Sequence, residues 1–280
     1  MKKKVEGIVM GCMLLVLLLL LTELPIFQDR WGLLFIDSMN TDLSFDVWLN
    51  LASDNKAVFG EPIKITYQAK GIEGSYPQIV AGGTKKAMEN WNLLIKTDFD
   101  KILQIYSFHP FAGPTPPSTD IEQTLLNIVY EIKSNNKEVF SVLYRADFNS
   151  SFVAHPSNLV YTTNLDKNRN KRLRLADIVI LSEAFVKDFR TWEPIAYDQE
   201  NKEMRKAAMD YIGNITDQDL LKGFRSSDRI GSGNPWGIYS YLTNNSLGIS
   251  IEVPHYAGDQ IQFEVPFSDL KKYLKDGYGS

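Results

Sequence analysis

A continuous apolar run, residues 7–21, follows Lys2, Lys3 and Lys4 near the N-terminus. The run is short for a membrane-spanning helix, which needs about 17–25 residues. Apolar residues at positions 24–27 extend its reach. A basic tip before an apolar run orients the N-terminus toward the cytoplasm. The pattern predicts one transmembrane signal-anchor within residues 1–30. It would contact the membrane through residues 7–27 and hold the body on the extracytoplasmic side of the cell membrane.

Two other interpretations of this N-terminus stay open. A cleaved signal peptide needs small residues after the apolar run, and residues 22–25 (Thr-Glu-Leu-Pro) offer no small-x-small site. A lipoprotein would use residues 9–12 (Val-Met-Gly-Cys), which resemble a lipobox, although the leucine run follows Cys12 instead of preceding it. A retained anchor is the leading prediction.

Alternation of apolar and polar positions predicts strands in the first half of the body. In residues 139–145 the odd-numbered and the even-numbered positions, which point to opposite faces of a strand, are both largely apolar. This pattern predicts a strand that is buried on both faces. Glycines at positions 71 and 74, and the Ser-Asn-Asn stretch at 134–136, are interpreted as turns. The other predicted strands cover residues 45–49, 63–67, 128–132 and 158–164.

Three- and four-residue apolar spacing predicts helices at residues 83–106, 177–189 and 200–212. Thr84 is the expected N-cap of the first of them. A Pro-rich stretch at 109–117 predicts a rigid loop. Three strands follow at 238–242, 247–253 and 260–265, and a short helix at 268–274.

This order of strands and helices predicts an α+β fold with antiparallel sheets and packed helices, preceded by one N-terminal transmembrane helix. The predicted organisation is a first α+β module at 31–165 and a second at 166–280, after the anchor at 1–30. Composition supports a packed body, since 44% of residues are hydrophobic and 23% are charged. The net charge of −4 and the lack of a basic footprint exclude a nucleic-acid-binding role.

Candidate chemistry is sparse along the chain. The three histidines (His109, His155, His255) have no metal-ligand spacing, and the single cysteine lies in the apolar run. Asp166 begins a stretch that resembles a calcium loop, but Lys171 stands where that loop needs glycine. No hydrolase elbow, phosphate loop or metalloprotease helix occurs. We therefore expect no catalytic residue, metal or cofactor.

The C-terminal third resembles a known family. Seven of its residues are similar to the closing motif of the RsiV-like family, which comprises bacterial extracytoplasmic domains of unknown function. They are Glu252, Val253, Tyr256, Ala257, Pro266, Phe267 and Leu270. His255 stands where that family usually has proline. The stretch 152–156 and the segment 164–178 are similar to the junction between the two modules of that family, and the resemblance covers roughly residues 58–275.

The resemblance implies an envelope-facing binding module of Gram-positive bacteria. Members of the family include the ectodomain of a lysozyme-sensing anti-sigma factor, and others precede a peptidoglycan deacetylase domain. We find no sigma-binding segment and no deacetylase domain within residues 1–280, so neither specific activity is expected from the resemblance. The expected function is a membrane-anchored, non-enzymatic binding or sensing domain of the cell envelope. Its expected partners are lysozyme, another envelope protein or cell-wall glycan.

Aromatic and histidine side chains are the expected binding residues, since they can stack on sugars or anchor a protein partner. The candidates are Trp236, Tyr239, Tyr241, His255 and Tyr256. The alternative function is a cell-wall hydrolase or deacetylase with an unrecognised acidic site. That function predicts a cleft in which acids such as Asp177, Glu183 or Asp228 converge.

Overall fold

Nine strands in two sheets organise the residues that the computed structural model describes, namely 60–107, 125–150, 153–195, 202–231 and 233–277. All of these residues belong to one compact unit, residues 54–280. The strands are β1 (Ile63–Ala69), β2 (Ile72–Gln78), β3 (Leu125–Asn135), β4 (Val139–Asn149), β5 (Ser157–Asp166), β6 (Lys171–Leu173), β7 (Ile238–Leu242), β8 (Ser246–Glu252) and β9 (Gln260–Pro266). The helices are α1 (Lys85–Ser107), α2 (Leu175–Ile178), α3 (Glu183–Phe189), α4 (Lys202–Gly213), α5 (Asp217–Ser226) and α6 (Phe267–Leu270). The α+β prediction is confirmed.

The first sheet contains β1 to β6 in chain order, and the second contains β7 to β9. Every neighbouring pair is antiparallel except β2 and β3, which run parallel with Ile72 opposite Leu126. The predicted antiparallel sheets are confirmed, and this pair is a parallel exception within the first sheet. Parallel neighbours need a long crossover connection, and α1 lies in the segment that joins β2 to β3.

Helix α1 covers one face of the first sheet. Trp91, Ile95, Phe99 and Ile102 recur at three- or four-residue spacing, and all are at most 2% exposed. Thr84 accepts a hydrogen bond from the Ala87 backbone N–H at 3.3 Å. The predicted helix and its N-cap are confirmed, because an apolar stripe of this period has to be buried against the sheet.

Strand β2 was not predicted, because its glycine was interpreted as part of a turn. Gly71 does lie in the turn after β1, with a φ of 71°. Gly74, in contrast, lies within β2, and a Cβ there would stand 2.7 Å from the Phe99 ring. The strand needs glycine at this position so that the α1 aromatic can pack directly against its backbone.

Strand β4 joins the two sheets. Its first six residues are buried, which confirms the prediction of burial on both faces. The Ser141 hydroxyl accepts a hydrogen bond from the Leu242 N–H at 3.0 Å, and the Asn164 amide donates to the Ser240 carbonyl at 2.8 Å. Tyr241 packs with Leu143 between the sheets. The second sheet therefore lies across β4 and β5.

The helix predicted at 177–189 is split. Val179 forms an antiparallel bridge with Leu274, and the Ile180 N–H donates to the Tyr273 carbonyl at 2.7 Å. Helix α3 begins anew after Ser182, whose hydroxyl accepts from the Phe185 N–H. The same pairing explains why the last helix, α6, ends at Leu270 and not at residue 274 as predicted. Residues 273–274 pair with residues 179–180 and therefore do not continue the helix.

Several predictions concern residues outside the described ranges. They are the anchor at 7–27, the strand at 45–49, the Pro-rich loop at 109–117 and His109. No helix among the described residues is long and apolar enough to cross a membrane. The module boundary between residues 165 and 166 also stays a prediction.

A glycine in β8 gives the first testable prediction. A Cβ at Gly248 would stand 2.0–2.4 Å from the Tyr241 ring, because that ring crosses β8. We expect Gly248→Ala to lower the free energy of unfolding by about 1–3 kcal/mol, through overpacking. Urea denaturation followed by circular dichroism measures it.

Gly213 offers a matched control for that substitution. It is the last residue of α4, and a Cβ there would meet nothing within 4 Å. We expect Gly213→Ala to leave stability unchanged or to raise it by up to about 1 kcal/mol. Equal losses in the two variants would contradict the packing of Tyr241 on Gly248.

Candidate functional site

The loop between β8 and β9 forms a rigid corner, residues 254–259, that we call the His255 corner. Its 3-10 turn, His255–Ala257, is anchored by Ala257, which is 3% exposed. Gly258 and Asp259 follow with φ angles of 98° and 66°. This turn leaves His255 exposed and Tyr256 69% exposed, so two of the five predicted binding residues stand side by side on the surface.

Asp259 fixes the corner to the first sheet. One carboxylate oxygen accepts a hydrogen bond from the Asn158 N–H at 2.9 Å, and the other lies 2.9 Å from His255 Nδ1. The Asn158 side chain continues this network, since its amide donates to Asp147 and its oxygen accepts from the Gln260 amide at 2.9 Å. The corner is thus held by strands β4, β5 and β9.

His155 and His255 stack against each other. Their ring centroids are 4.7 Å apart and their planes differ by 5°. His155 belongs to the loop between β4 and β5, so the stack adds a second contact between that loop and the corner. The pair forms a flat rim of two imidazole rings beside Asp259.

A cleft of about 670 Å³ opens beside the corner, and we call it the strand-end cleft. Its lining includes the carboxylates of Glu73, Asp147 and Asp259, together with His255. Neither lysine nor arginine occurs among its described lining residues. Clefts of about 300–1,000 Å³ are the usual size for ligand sites. The acidic lining favours a ligand with positive charge.

The other three predicted binding residues take part in packing. Tyr241 is 0% exposed, and its hydroxyl donates to Glu264 at 3.2 Å. Tyr239 packs edge-on against Tyr161, and burial raises the pKa of Tyr161 to about 12. Trp236 is partly buried against the core beside Gly223 of α5. The structure does not bring these three residues to the His255 corner.

The three acids of the alternative function do not meet in the strand-end cleft. Asp177 caps α2, accepting from the Arg174 N–H at 3.0 Å, and Glu183 is exposed in the first turn of α3. Asp228 is 4% exposed and accepts hydrogen bonds from Leu175 N–H at 2.6 Å and Ser240 N–H at 2.5 Å. Burial raises the pKa of Asp228, while these hydrogen bonds act in the opposite direction. We interpret Asp228 as a structural acid.

The stretch that resembles a calcium loop is a turn between β5 and β6. One Asp166 oxygen accepts the Arg169 N–H at 2.7 Å, and the other pairs with the Arg169 guanidinium at 3.2 Å. A cation would have to displace that arginine. Within the described ranges, no group of three or more His, Cys, Asp or Glu side chains is placed to hold a metal ion.

Comparisons with known proteins give structural neighbours and no sequence relatives. No family model and no curated protein matches this chain. Two solved bacterial structures do resemble it. One is a DUF3298 family protein from Pseudomonas aeruginosa PAO1, with 12% identity, a TM-score of 0.43, and coverage of 77% of this chain and 94% of the other. The second, a DUF3298 family member from Bacteroides fragilis NCTC 9343, has 13% identity, a TM-score of 0.40, and coverage of 77% and 93%.

The structural neighbours are thus members of a bacterial domain family of unknown function. At these values the likeness carries no argument about ligands, location or site residues. The specific link to the RsiV-like domains stays a prediction.

Sequence reasoning missed most of the residues that build this site. Asn158 and Asp259 bond to each other across 101 positions in the chain, and no local pattern connects them. His155 has no metal-ligand spacing to another histidine, and nothing in the sequence shows that it stacks on His255. The local signal in the sequence is the Gly258-Asp259 turn, which follows His255, Tyr256 and Ala257.

Proposed function

We propose that this chain is a non-enzymatic binding or sensing module of the bacterial cell envelope, held at the membrane by residues 7–27. Its partner would contact the His255 corner and the strand-end cleft. The observation that carries this proposal is Tyr256, a large aromatic side chain that is 69% exposed on a fixed turn.

Exposed tyrosine on a rigid backbone is well suited to recognition. It offers a large contact area and a hydroxyl, and few rotatable bonds are immobilised on binding. The corner is fixed before the partner arrives, through Asp259 and the buried Ala257. Binding would therefore require little ordering of the loop.

The charge of the cleft supports a basic partner. Glu73, Asp147 and Asp259 are among its lining residues, and the whole chain carries a net charge of −4. A basic protein such as lysozyme would find complementary charge there. Peptidoglycan is the second partner to test, because the family resemblance also implies a cell-wall environment.

The first test is binding of the purified full-length chain, in mild detergent, to lysozyme and to insoluble peptidoglycan. We expect saturable lysozyme binding that weakens as the salt concentration rises, because the cleft is acidic. Glu73→Gln should weaken it, whereas Glu131→Gln, which changes an acid outside the cleft, should not. Absence of saturable binding to either material would contradict the proposal.

A cell-wall hydrolase or deacetylase is the second candidate. The His255 Nδ1 to Asp259 distance of 2.9 Å is the observation in its favour, since a carboxylate that orients an imidazole is a common general-base arrangement. Release of soluble muropeptides or of acetate from peptidoglycan, abolished by His255→Asn, would support this activity over the binding role.

A further inference from the structure

A second polar groove, of about 420 Å³, lies at the opposite end of the strands from the His255 corner. The turn between β3 and β4 and the turn between β7 and β8 form its sides, and the start of α6 completes it. We call it the hairpin-end groove. All of the lining residues considered below lie in the described ranges.

Internal hydrogen bonds hold the asparagines of the groove in place. Asn136 Oδ1 accepts from the Val139 N–H at 2.8 Å and from the Glu138 N–H at 2.9 Å. Asn244 Oδ1 accepts from the Ser134 hydroxyl at 3.2 Å. Asn245 Oδ1 accepts from the Thr243 hydroxyl at 3.1 Å. The two backbone N–H donors fix the Asn136 amide, which donates to the Ser134 hydroxyl at 3.2 Å, so that this hydroxyl is left to donate to Asn244. Asn245 Oδ1 also accepts from the Ser246 hydroxyl at 3.2 Å.

The polar groups that remain for a ligand include both hydrogen-bond donors and an acceptor. With their oxygens engaged internally, Asn244 and Asn245 offer their amide N–H groups as donors. Glu138 is exposed at the same groove, and its carboxylate is an acceptor. The hairpin that carries Glu138 is itself fixed, because the Lys167 ammonium donates to the Asn136 carbonyl at 2.8 Å.

Apolar side chains also line the groove. Leu242 is buried, Pro266 is exposed, and Phe267 is partly buried and packs against the core. Amide donors, one carboxylate and apolar side chains in one groove match the two kinds of surface on a sugar ring. The hydroxyl groups can accept from amides and donate to a carboxylate, and the C–H face can rest on the apolar side chains.

We propose that the hairpin-end groove binds a neutral saccharide. A neutral ligand is favoured because the groove offers one carboxylate and the amides of Asn244 and Asn245 instead of a charge cluster. The proposal is independent of the proposed function, since it uses none of the residues of the His255 corner or the strand-end cleft.

The test uses the full-length chain in mild detergent and the N-acetylglucosamine trimer as the neutral probe. Saturation-transfer NMR observes the sugar, and calorimetry measures its affinity. We expect saturable binding that weakens about tenfold in Glu138→Ala, because a hydrogen bond to a charged acceptor is lost. Ser268→Trp, which places a bulky side chain in the groove, should weaken binding at least as much. Thermal unfolding checks that both variants fold.

Glu73→Ala is the matched control, because it removes one carboxylate from the other cleft. Unchanged saccharide affinity in this variant, with loss in both groove variants, supports the proposal. No saturable binding by the unmodified chain overturns it, and so does binding that Glu73→Ala weakens and the groove variants do not. Lysozyme binding measured on the same proteins reports on the proposed function separately.

Discussion

Replacing Asp98 by alanine is expected to lower the free energy of unfolding by about 3–5 kcal/mol, the usual effect of removing one partner from a buried ion pair. Asp98 is 1% exposed on α1 and pairs with both terminal nitrogens of Arg172, one of them at 2.9 Å. It also accepts a hydrogen bond from the Thr163 hydroxyl at 2.6 Å. The substitution leaves the guanidinium largely buried without its carboxylate, and it removes the hydrogen bonds from Asp98 on α1 to Thr163 of β5 and Arg172 of β6.

Urea denaturation at neutral pH measures this effect, and Lys96→Ala is the control on the same helix. Lys96 pairs with Asp100 at 2.8 Å, with side chains that are 45% and 23% exposed, so we expect a change of at most about 0.5 kcal/mol. Changing Arg172 to methionine as well should recover part of the loss, since no unpaired charge then remains. A loss no greater than that of the control would contradict the structural role of the pair.

The second large effect is expected at Asp228. Alanine there would leave the buried donors of Leu175 and Ser240 unpaired, and it would place a side chain without local hydrogen bonds at a φ of 60°. We expect the free energy of unfolding to fall by about 3 kcal/mol or more. Thermal and urea unfolding would both show it.

Asp228→Asn is the milder substitution at this position. Asparagine tolerates positive φ and keeps one acceptor oxygen, so its effect should be smaller than that of alanine. If Asp228→Ala instead leaves stability within about 1 kcal/mol and changes activity on cell-wall material, Asp228 would be a functional acid and not the structural one that its contacts indicate.

The elements that sequence reasoning predicted well are those whose local pattern agrees with their packing. The apolar stripe of α1 is buried, the doubly apolar β4 lies between two layers, and the three C-terminal strands form the second sheet. In each of these elements, the spacing of apolar residues over a short stretch of sequence is enough to predict which residues are buried.

The elements that sequence reasoning missed depend on contacts with residues that lie far away in the chain. Gly74 was interpreted as a turn residue because the Phe99 ring that packs on it lies 25 positions later in the chain. The helix expected at 177–189 is interrupted because residues 273–274 pair with residues 179–180, near its start. Tyr239 and Tyr241 lie in an alternating strand, where sequence alone could not distinguish a buried face from a binding face.

The most direct test of the central claim, that the His255 corner is the contact surface of a binding module, is the lysozyme affinity of Tyr256→Ala. Biolayer interferometry on the full-length chain would compare it with Leu93→Ala, which removes a side chain of similar exposure (65%) from α1. A hot-spot tyrosine contributes about 2 kcal/mol or more, so we predict at least about 30-fold weaker binding for Tyr256→Ala and unchanged binding for Leu93→Ala. Equal affinity in both variants and the unmodified chain would contradict the assignment of the corner as the binding surface.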